Sequence, residues 1–304
     1  MGDVLSALAP VFLLIMIGWG ARRARFLPEE AWAGVNRFGY LVLYPAFLFT
    51  TIAGADLGAA DAFSFVGATL CGFAAVGLLA LMTRFLFRAD GPAFTSVFQG
   101  ALRWNGFALL AAADSLYGPG GAARIALAFG PLVLLINLAS VAVLARWGAG
   151  GGSDARAILG QVIANPIILA CAAGLAFNIA GFGDLGVVTG TLELIGQAAM
   201  PIALICVGAG LDFEPLRRAG PEVAVASALK LIAAPALLTL SALLWRLDPL
   251  NAAISIGIGS TSTAAASYTL AREMGGDARL MAAIVTATTL LSFVTMPIAI
   301  ALTR

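Results

Sequence analysis

Two polar interruptions inside otherwise apolar segments are the residues of this chain best suited to chemistry. The first is Gln99-Gly100-Ala101-Leu102-Arg103-Trp104-Asn105-Gly106, and the second is Gly257-Ile258-Gly259-Ser260-Thr261-Ser262-Thr263. At membrane depth, backbone that lacks helical hydrogen bonds is tolerated only against protein or a water-filled cavity. Two interrupted helices in corresponding positions are typical of a transport site, where half-helix N-termini face an anion and freed carbonyls can hold a cation. The alternative is structural: hydroxyls bond back to their own helix, and glycines permit close packing.

Arg103 is the most informative single residue, because it lies about ten residues, or roughly 15 Å, into its apolar segment. An unpaired arginine at that depth costs at least about 2.5–3.5 kcal/mol on insertion scales. It either attracts an anionic substrate or tethers a broken helix through hydrogen bonds to its carbonyls, and one residue could do both. We expect Asn105, Gly106, Gln99 and the segment Ser260, Thr261, Ser262 and Thr263 to line a binding site with it.

Four further residues are candidates for the walls and the charge of a cavity. Pro45 and Pro201 lie inside apolar segments, where each removes a backbone donor and kinks a helix. Asn137 is a polar residue in a third segment, and Lys230 is a charged residue in a fourth. Lys230 pairs with a carboxylate, raises the anion preference of the cavity, or reaches an interface along its apolar stem.

Composition places the chain in a lipid environment. Of 304 residues, 61% are hydrophobic and only 11% are charged, with a mean hydropathy of +0.98, whereas soluble domains carry about 25% charged residues. The net charge of +1 gives no reason to expect nucleic acid as a partner. There is no histidine, and the three cysteines are scattered singly, so neither a catalytic triad nor a metal motif is present in the sequence. An enzyme is not expected.

Apolar segments long enough to cross about 30 Å of hydrocarbon predict ten transmembrane helices. We place these spans at 4–20, 36–54, 63–83, 93–113, 124–146, 158–179, 187–210, 221–244, 250–271 and 279–302. Polar interruptions in the fourth and ninth spans predict that these two helices are broken and cross.

The two halves of the chain are related by an internal repeat. Pro10 and Pro166, Gly18 and Gly174, and Pro45 and Pro201 each differ by 156 positions, as do Asn105 and Thr261. We therefore divide the chain into a first five-helix repeat (1–147), a short linker (148–155) and a second five-helix repeat (156–304). An odd number of crossings per copy inverts the second copy, which is an arrangement of secondary transporters.

Basic residues orient the spans by the positive-inside rule. Eleven lie in the loops after odd-numbered spans: Arg22, Arg23, Arg25, Arg84, Arg88, Arg146, Arg156, Arg217, Arg218, Arg272 and Arg279. The opposite side carries three, Arg124, Arg246 and Arg304. We expect an integral protein of the cytoplasmic (inner) membrane with both termini outside.

At several of these positions the chain resembles the auxin efflux carrier family of membrane transporters, in its short bacterial form. The resemblance rests on Arg103-Trp104-Asn105, Asn165-Pro166, Lys230-Leu231 and the stretch 266–278, and it covers essentially the whole chain. It implies ten helices in two inverted repeats, with broken helices four and nine crossing at the substrate site. It also implies a moving half, spans 3–5 and 8–10, against a scaffold of spans 1, 2, 6 and 7. Members of the family move organic anions such as auxin or malonate.

Together these observations predict a secondary carrier that moves a small organic anion, a carboxylate such as malonate or an auxin-like acid, by alternating access. The alternative is a membrane-embedded sensor that binds such an anion without transporting it. No cofactor is expected. The sequence does not decide whether the coupling ion is sodium or a proton, or whether the protein forms a homodimer. Membrane lipid is the expected surrounding partner.

Overall fold

A computed structural model describes residues 2–55, 59–86, 90–149, 164–217 and 220–303, and these residues form helices joined by short connections, without strands. The helices are α1 (Gly2–Arg23), α2 (Glu29–Phe38), α3 (Tyr44–Ala53), α4 (Ala59–Leu86), α5 (Gly91–Leu102), α6 (Gly106–Leu110), α7 (Ala113–Tyr117), α8 (Gly121–Trp147), α9 (Pro166–Ile179), α10 (Val187–Gln197), α11 (Ala199–Ala209), α12 (Phe213–Arg217), α13 (Pro221–Ala228), α14 (Ala234–Leu244), α15 (Pro249–Ser260), α16 (Ala266–Glu273) and α17 (Ala278–Ala301). Two π-helical segments, Gly39–Leu43 and Leu229–Ala233, join α2 to α3 and α13 to α14.

Six helical stretches of the described chain are long and apolar enough to cross a membrane. They are Gly2–Arg23, Ala62–Phe85, Gly121–Trp147, Val187–Ala209, Pro221–Leu244 and Ala278–Ala301. Large apolar side chains such as Leu13, Phe85 and Leu194 are exposed on their surfaces, as expected for faces that meet lipid. The predicted all-helical class is therefore confirmed, and these apolar helices support an integral membrane protein.

The other four predicted spans have different forms. The stretch 36–54 corresponds to α2, a π segment and α3, while 93–113 and 250–271 are interrupted helices. The stretch 158–179 is described only from residue 164 onward, as α9. Of the predicted linker, Gly148 follows α8 directly, and residues 150–155 lie outside the described residues. So do Arg88, Arg156, Arg218 and Arg304, which entered the charge count.

Prolines explain where the long helices change their winding. A proline has no N–H to donate to the carbonyl four residues earlier, so the preceding turn must rearrange. Pro45 and Pro235 each lie at the second position after a π segment that contains that carbonyl residue. Pro201 lies at the start of α11, where the helix restarts after Ala198. The predicted kinks at Pro45 and Pro201 thus take the form of a π segment and a break.

Close helix contacts are made by glycines in both halves. A Cβ on Gly18 would lie 2.0 Å from the carbonyl oxygen of Ile205. A Cβ on Gly174 would lie 2.9 Å from the carbonyl oxygen of Phe49. Both glycines are therefore required for backbone-to-backbone contact, the kind of packing that small residues permit in membranes. These contacts join α1 to α11 and α9 to α3.

Candidate functional site

The first predicted interruption is a break between two short helices. Helix α5 ends at Leu102, and Arg103 follows in an extended conformation (φ −74°, ψ 138°). Asn105 (φ −92°, ψ 83°) then caps α6, since its side-chain oxygen accepts a hydrogen bond from the backbone N–H of Ala108 at 3.3 Å. An asparagine is among the preferred N-cap residues because it satisfies an orphan helix donor. The sequence therefore specifies both the end of one half-helix and the beginning of the next.

The second predicted interruption is also present. Helix α15 ends at Ser260, Thr261 is extended (φ −66°, ψ 159°), and α16 begins at Ala266. The hydroxyls of Ser260 and Thr261 donate to the carbonyls of Gly257 and Ile258, three residues earlier, at 2.8 and 3.0 Å. In these two residues the structural interpretation holds, because the hydroxyls satisfy carbonyls freed at the helix end.

The two interruptions contact each other directly. The backbone N–H of Asn105 donates to the carbonyl of Ser262 at 2.9 Å. The Thr263 hydroxyl donates to the carbonyl of Gly100 at 2.6 Å, and the Thr263 N–H donates to the Thr288 hydroxyl at 3.2 Å. Residues predicted from two distant parts of the sequence thus form one crossing point, held by backbone and hydroxyl groups.

Arg103 is held beside this crossing by a residue of α8. Its Nη1 donates to the side-chain oxygen of Asn137 at 2.9 Å. The side chain is partly exposed, and no salt bridge found in the described chain involves it. The tether predicted for Arg103 therefore runs to Asn137 rather than to helix carbonyls. A guanidinium has five N–H donors, which leaves donors for an anion.

Two amide side chains near Arg103 are buried with unused hydrogen-bonding atoms. Gln99 is fully buried, and neither its Oε1 nor its Nε2 has a hydrogen-bond partner within the described residues. The Nδ2 of Asn105 is likewise buried without one. An unsatisfied buried polar group costs about 1–3 kcal/mol. These amides are therefore suited to receive the polar groups of a ligand.

Aromatic rings surround the first break. A Cβ on Gly106 would lie 2.3 Å from Phe129 Cε2, so any larger residue there would force the Phe129 ring to shift. Trp104 packs on Phe129 with ring centroids 5.0 Å apart, and Phe107 packs on Phe129 at 5.4 Å and on Tyr44 at 4.3 Å. The rings form a continuous wall from the break to the segment that contains Tyr44. The sequence did not indicate this wall, because aromatic residues in apolar spans are equally common in cores and at lipid faces.

A cavity of about 370 Å³ lies next to the end of α6, where Leu110 lines it. Its polar lining comes from Thr51, Asp114 and Ser115, and the remaining lining residues are Phe47, Leu110, Ala111, Gly120, Ala122, Ala123 and Met200. Leu110 is one turn after Phe107 on the half-helix that begins at Gly106. Arg103, Phe107 and Tyr44 do not themselves line the cavity.

The remaining predicted residues lie around this arrangement. Pro45 is two positions before Phe47, and Pro201 is one position after Met200. Phe47 and Met200 line the cavity, but neither proline does. Lys230 is fully buried, and its Nζ has no hydrogen-bond partner in the described chain. The expectation that it reaches an interface is therefore wrong. No carboxylate pairs with it within the parts of the chain that the structure covers, and no metal-ligand cluster occurs in those parts.

Comparison with known proteins gives consistent matches. The model of a family described as "Membrane transport protein" matches residues 3–115 and 155–300. A protein of Rhizobium meliloti (strain 1021), named "Putative malonate transporter", is 28% identical over 97% of this chain and 94% of its own length. An "Uncharacterized transporter" of Methanothermobacter thermautotrophicus (strain ATCC 29096 / DSM 1053 / JCM 10044 / NBRC 100330 / Delta H) is 25% identical over 98% of this chain and 97% of its own length.

Proposed function

The chain belongs to the auxin efflux carrier family of membrane transport proteins, as its sequence predicted, and on that premise we propose that it is a secondary carrier of a small organic anion. The observation that carries this proposal is the position of Arg103. A positively charged side chain with unused donors lies where two interrupted helices meet, at a depth where charge is costly without a function. An anion bound there would offset that cost.

The substrate class follows from the groups around Arg103. A guanidinium binds a carboxylate in a planar, bidentate geometry, and the buried amides of Gln99 and Asn105 offer donors for a second polar group. The Rhizobium relative carries the name of a malonate transporter, and malonate has two carboxylates on one carbon. We propose malonate or a similar short carboxylate as the substrate, with Arg103 binding one carboxylate.

Alternating access is consistent with the way the cavity-lining residues are divided between two groups of helices. The cavity lies between Phe47, Thr51 and Met200 on one side and residues of α6, α7 and α8 on the other. The first group comes from α3 and α11, which pack on α9 and α1, and would belong to the scaffold. Movement of the other helices against this scaffold would separate Phe107 from Tyr44, and we propose that this movement connects Arg103 with the cavity.

Ten spans in two inverted repeats account for the packing. Gly18 contacts Ile205, and Gly174 contacts Phe49; adding 156 converts Gly18 into Gly174 and Phe49 into Ile205. The two half-helices α5 and α15 are also alike, since each has 12 residues and an aspartate N-cap, Asp90 or Asp248. A two-fold relation between the halves explains both pairs. With basic loops in the cytoplasm, both termini lie outside and the cavity opens outward.

Transport by purified protein in liposomes tests this function. Labelled malonate should enter vesicles that contain the protein and not vesicles without it. Internal unlabelled malonate should accelerate the entry, since exchange is a property of carriers. Uptake indistinguishable from that of protein-free vesicles, for malonate and for a panel of mono- and dicarboxylates including indole-3-acetate, would refute the proposal.

A further inference from the structure

The side-chain amide of Gln99 is unsatisfied in both of its polar atoms, which distinguishes it from the amide of Asn105. Asn105 Oδ1 accepts a hydrogen bond from the Ala108 N–H, so only its donor Nδ2 is left without a partner. Gln99 is 0% exposed, and neither its donor Nε2 nor its acceptor Oε1 has a partner among the described residues. A carboxylate would satisfy the donor of Asn105, but it carries no proton for the acceptor of Gln99. Gln99 therefore fits a group that donates and accepts at once.

Gln99 lies one helical turn from Arg103 on the same face of α5. The Arg103 N–H donates to the Gln99 carbonyl at 2.9 Å, which closes the last turn of the helix. Arg103 keeps a φ of −74°, close to the helical value, so its Cβ continues the face on which Gln99 lies. Side chains four residues apart on a helix have their Cβ atoms about 5–6 Å apart. Two long side chains that start this close together can both bind one short ligand.

A second unpartnered polar side chain lies at the same level on the neighbouring helix. Helix α8 packs against α5 and runs antiparallel to it. At one end of this contact Arg103 bonds to Asn137. At the other end the rings of Phe94 and Trp147 pack with their centroids 5.3 Å apart. This register places Ser140 beside the last turn of α5, and the buried Ser140 hydroxyl has no hydrogen-bond partner within the described chain. Because unsatisfied buried polar groups are costly, two of them at one level favour a binding role over simple packing.

Arg103 is the one cation that the described side chains place beside this turn. Helix α5 packs against α4, α8, α13, α16, α17 and the π segment Leu229–Ala233. The other described basic side chains of these elements contact other groups or lie near a helix end: Arg84 is over the Phe94 ring, Arg146 over Trp147, Lys230 over Phe73, Arg272 over Tyr268, Arg279 pairs with Glu214, and Arg124 lies near the beginning of α8. Their described acidic residues are Glu222, in the first turn of α13, and Glu273, the last residue of α16. A ligand with two carboxylates would bring one negative charge more than the guanidinium balances, and burial disfavours the charged form of a carboxyl group.

We propose that the carrier recognises its dicarboxylate substrate as the singly protonated monoanion, and that Gln99 is the residue that selects this form. One carboxylate binds Arg103, while the protonated carboxyl pairs with the Gln99 amide. The hydroxyl of that carboxyl donates to Oε1, and its carbonyl accepts from Nε2. No covalent bond breaks, and the proton stays on the substrate until release. Because Gln99 is buried in the described conformation, this contact forms when the helices around it move. The inference rests on the proposed carrier function, and it makes the substrate itself the carrier of the coupled proton.

Thermal unfolding with two monoanionic analogues of malonate tests this recognition without transport. Malonamate has a carboxylate and a primary amide, which donates and accepts like a protonated carboxyl. Monomethyl malonate has a carboxylate and an ester, which only accepts. Both analogues carry one negative charge at neutral pH. Malonamate should stabilise the purified wild type with a dissociation constant about tenfold lower than that of monomethyl malonate, because the ester leaves the Gln99 acceptor unsatisfied.

The pH dependence of malonate binding gives an independent test. If only the monoanion binds, the apparent dissociation constant of malonate should rise about tenfold per pH unit above the second ionisation of malonate, since the binding-competent fraction falls by that factor. The dissociation constant of malonamate should stay constant over the same range. That comparison excludes titration of the protein as the cause.

Two variants separate recognition from packing. Gln99→Met removes both polar atoms at similar length, and it should bind malonamate and monomethyl malonate about equally. Val97→Ala, at another buried position of α5, should lower the melting temperature and keep the preference for malonamate. A Gln99→Met protein that keeps this preference would exclude Gln99 as the selecting residue.

Transport provides the last arm. In liposomes with a pH indicator inside, malonate entry should acidify the interior, because the monoanion releases its proton there, whereas malonamate entry should not. Equal stabilisation of the wild type by both analogues, or malonate binding that does not change with pH, would overturn the proposal. If Gln99→Met does not fold, these wild-type measurements decide, since they need no substitution. Absence of binding and uptake for every carboxylate would refute the carrier function and the inference with it, whereas binding without these preferences would refute the inference alone.

Discussion

Substitution of Asn137 distinguishes a purely structural role of Arg103 from a role in binding substrate. Asn137 accepts a hydrogen bond from Arg103 Nη1 at 2.9 Å, so Asn137→Ala removes the tether and Asn137→Asp replaces it with a carboxylate. If Arg103 only holds the broken helix together, aspartate should serve at least as well as asparagine. If Arg103 binds an anion, aspartate should be the worse of the two, because it neutralises the guanidinium.

The magnitudes follow from the geometry. A hydrogen bond to a charged group contributes about 1.5–3 kcal/mol, and about 1.4 kcal/mol corresponds to tenfold in affinity. Asn137→Ala should therefore weaken substrate affinity by roughly tenfold or more, because the guanidinium must be ordered on binding. Opposite charges about 4 Å apart interact by about 4 kcal/mol at an effective dielectric constant of ~20. Asn137→Asp offsets most of that attraction for the substrate, so affinity should fall by about 100-fold or more.

The assay is the concentration dependence of malonate uptake in liposomes, with thermal unfolding of the same preparations as the folding control. We expect Asn137→Asp to unfold at or above the temperature of Asn137→Ala while transporting less. An Asn137→Asp protein that transports as well as the wild type, or better than Asn137→Ala, would refute the reasoning.

Three further predictions concern packing and orientation. Gly106→Ala should destabilise the protein by about 1–3 kcal/mol through overpacking, and thermal unfolding together with uptake should reveal both the loss of stability and the loss of transport. Gly18→Ala should lower the melting temperature strongly, because its Cβ would clash with a backbone carbonyl. Gly20→Ala should not, because nothing lies within 4 Å of its Cβ. Equal effects of the two substitutions would contradict the described packing of α1. In a cysteine-free background, an impermeant maleimide applied to intact cells should label Gly183→Cys and not Glu29→Cys, and the reverse pattern would invert the orientation.

Much of the fold was predictable because burial in lipid imposes strong rules on sequence. Apolar length located most helices, and polar residues at membrane depth located both breaks, which begin at Arg103 and Thr261. The π segments were not predicted, because a proline only requires that the preceding turn change. Whether it becomes a π segment, as before Pro45, or a break, as before Pro201, depends on tertiary packing.

The site was less predictable than the fold. The bond between Arg103 and Asn137 spans 34 positions, and residue types alone do not indicate which polar side chain of α8 faces the break. The sequence left open whether Ser260 and Thr261 face a ligand, and the structure shows their hydroxyls bonded to their own helix. Lys230 gave the least information in advance, because a lysine ten residues into a span can reach an interface or remain buried, and only the surrounding helices decide which.

The central claim is that the Arg103 guanidinium binds the carboxylate of the substrate. Malonate-dependent thermal stabilisation tests it most directly, comparing the wild type with Arg103→Gln, which removes the charge and keeps a donor for Asn137. We predict that malonate raises the melting temperature of the wild type in a saturable manner and leaves that of Arg103→Gln unchanged, although both unfold at similar temperatures without ligand. Equal stabilisation of both proteins by malonate would contradict the claim.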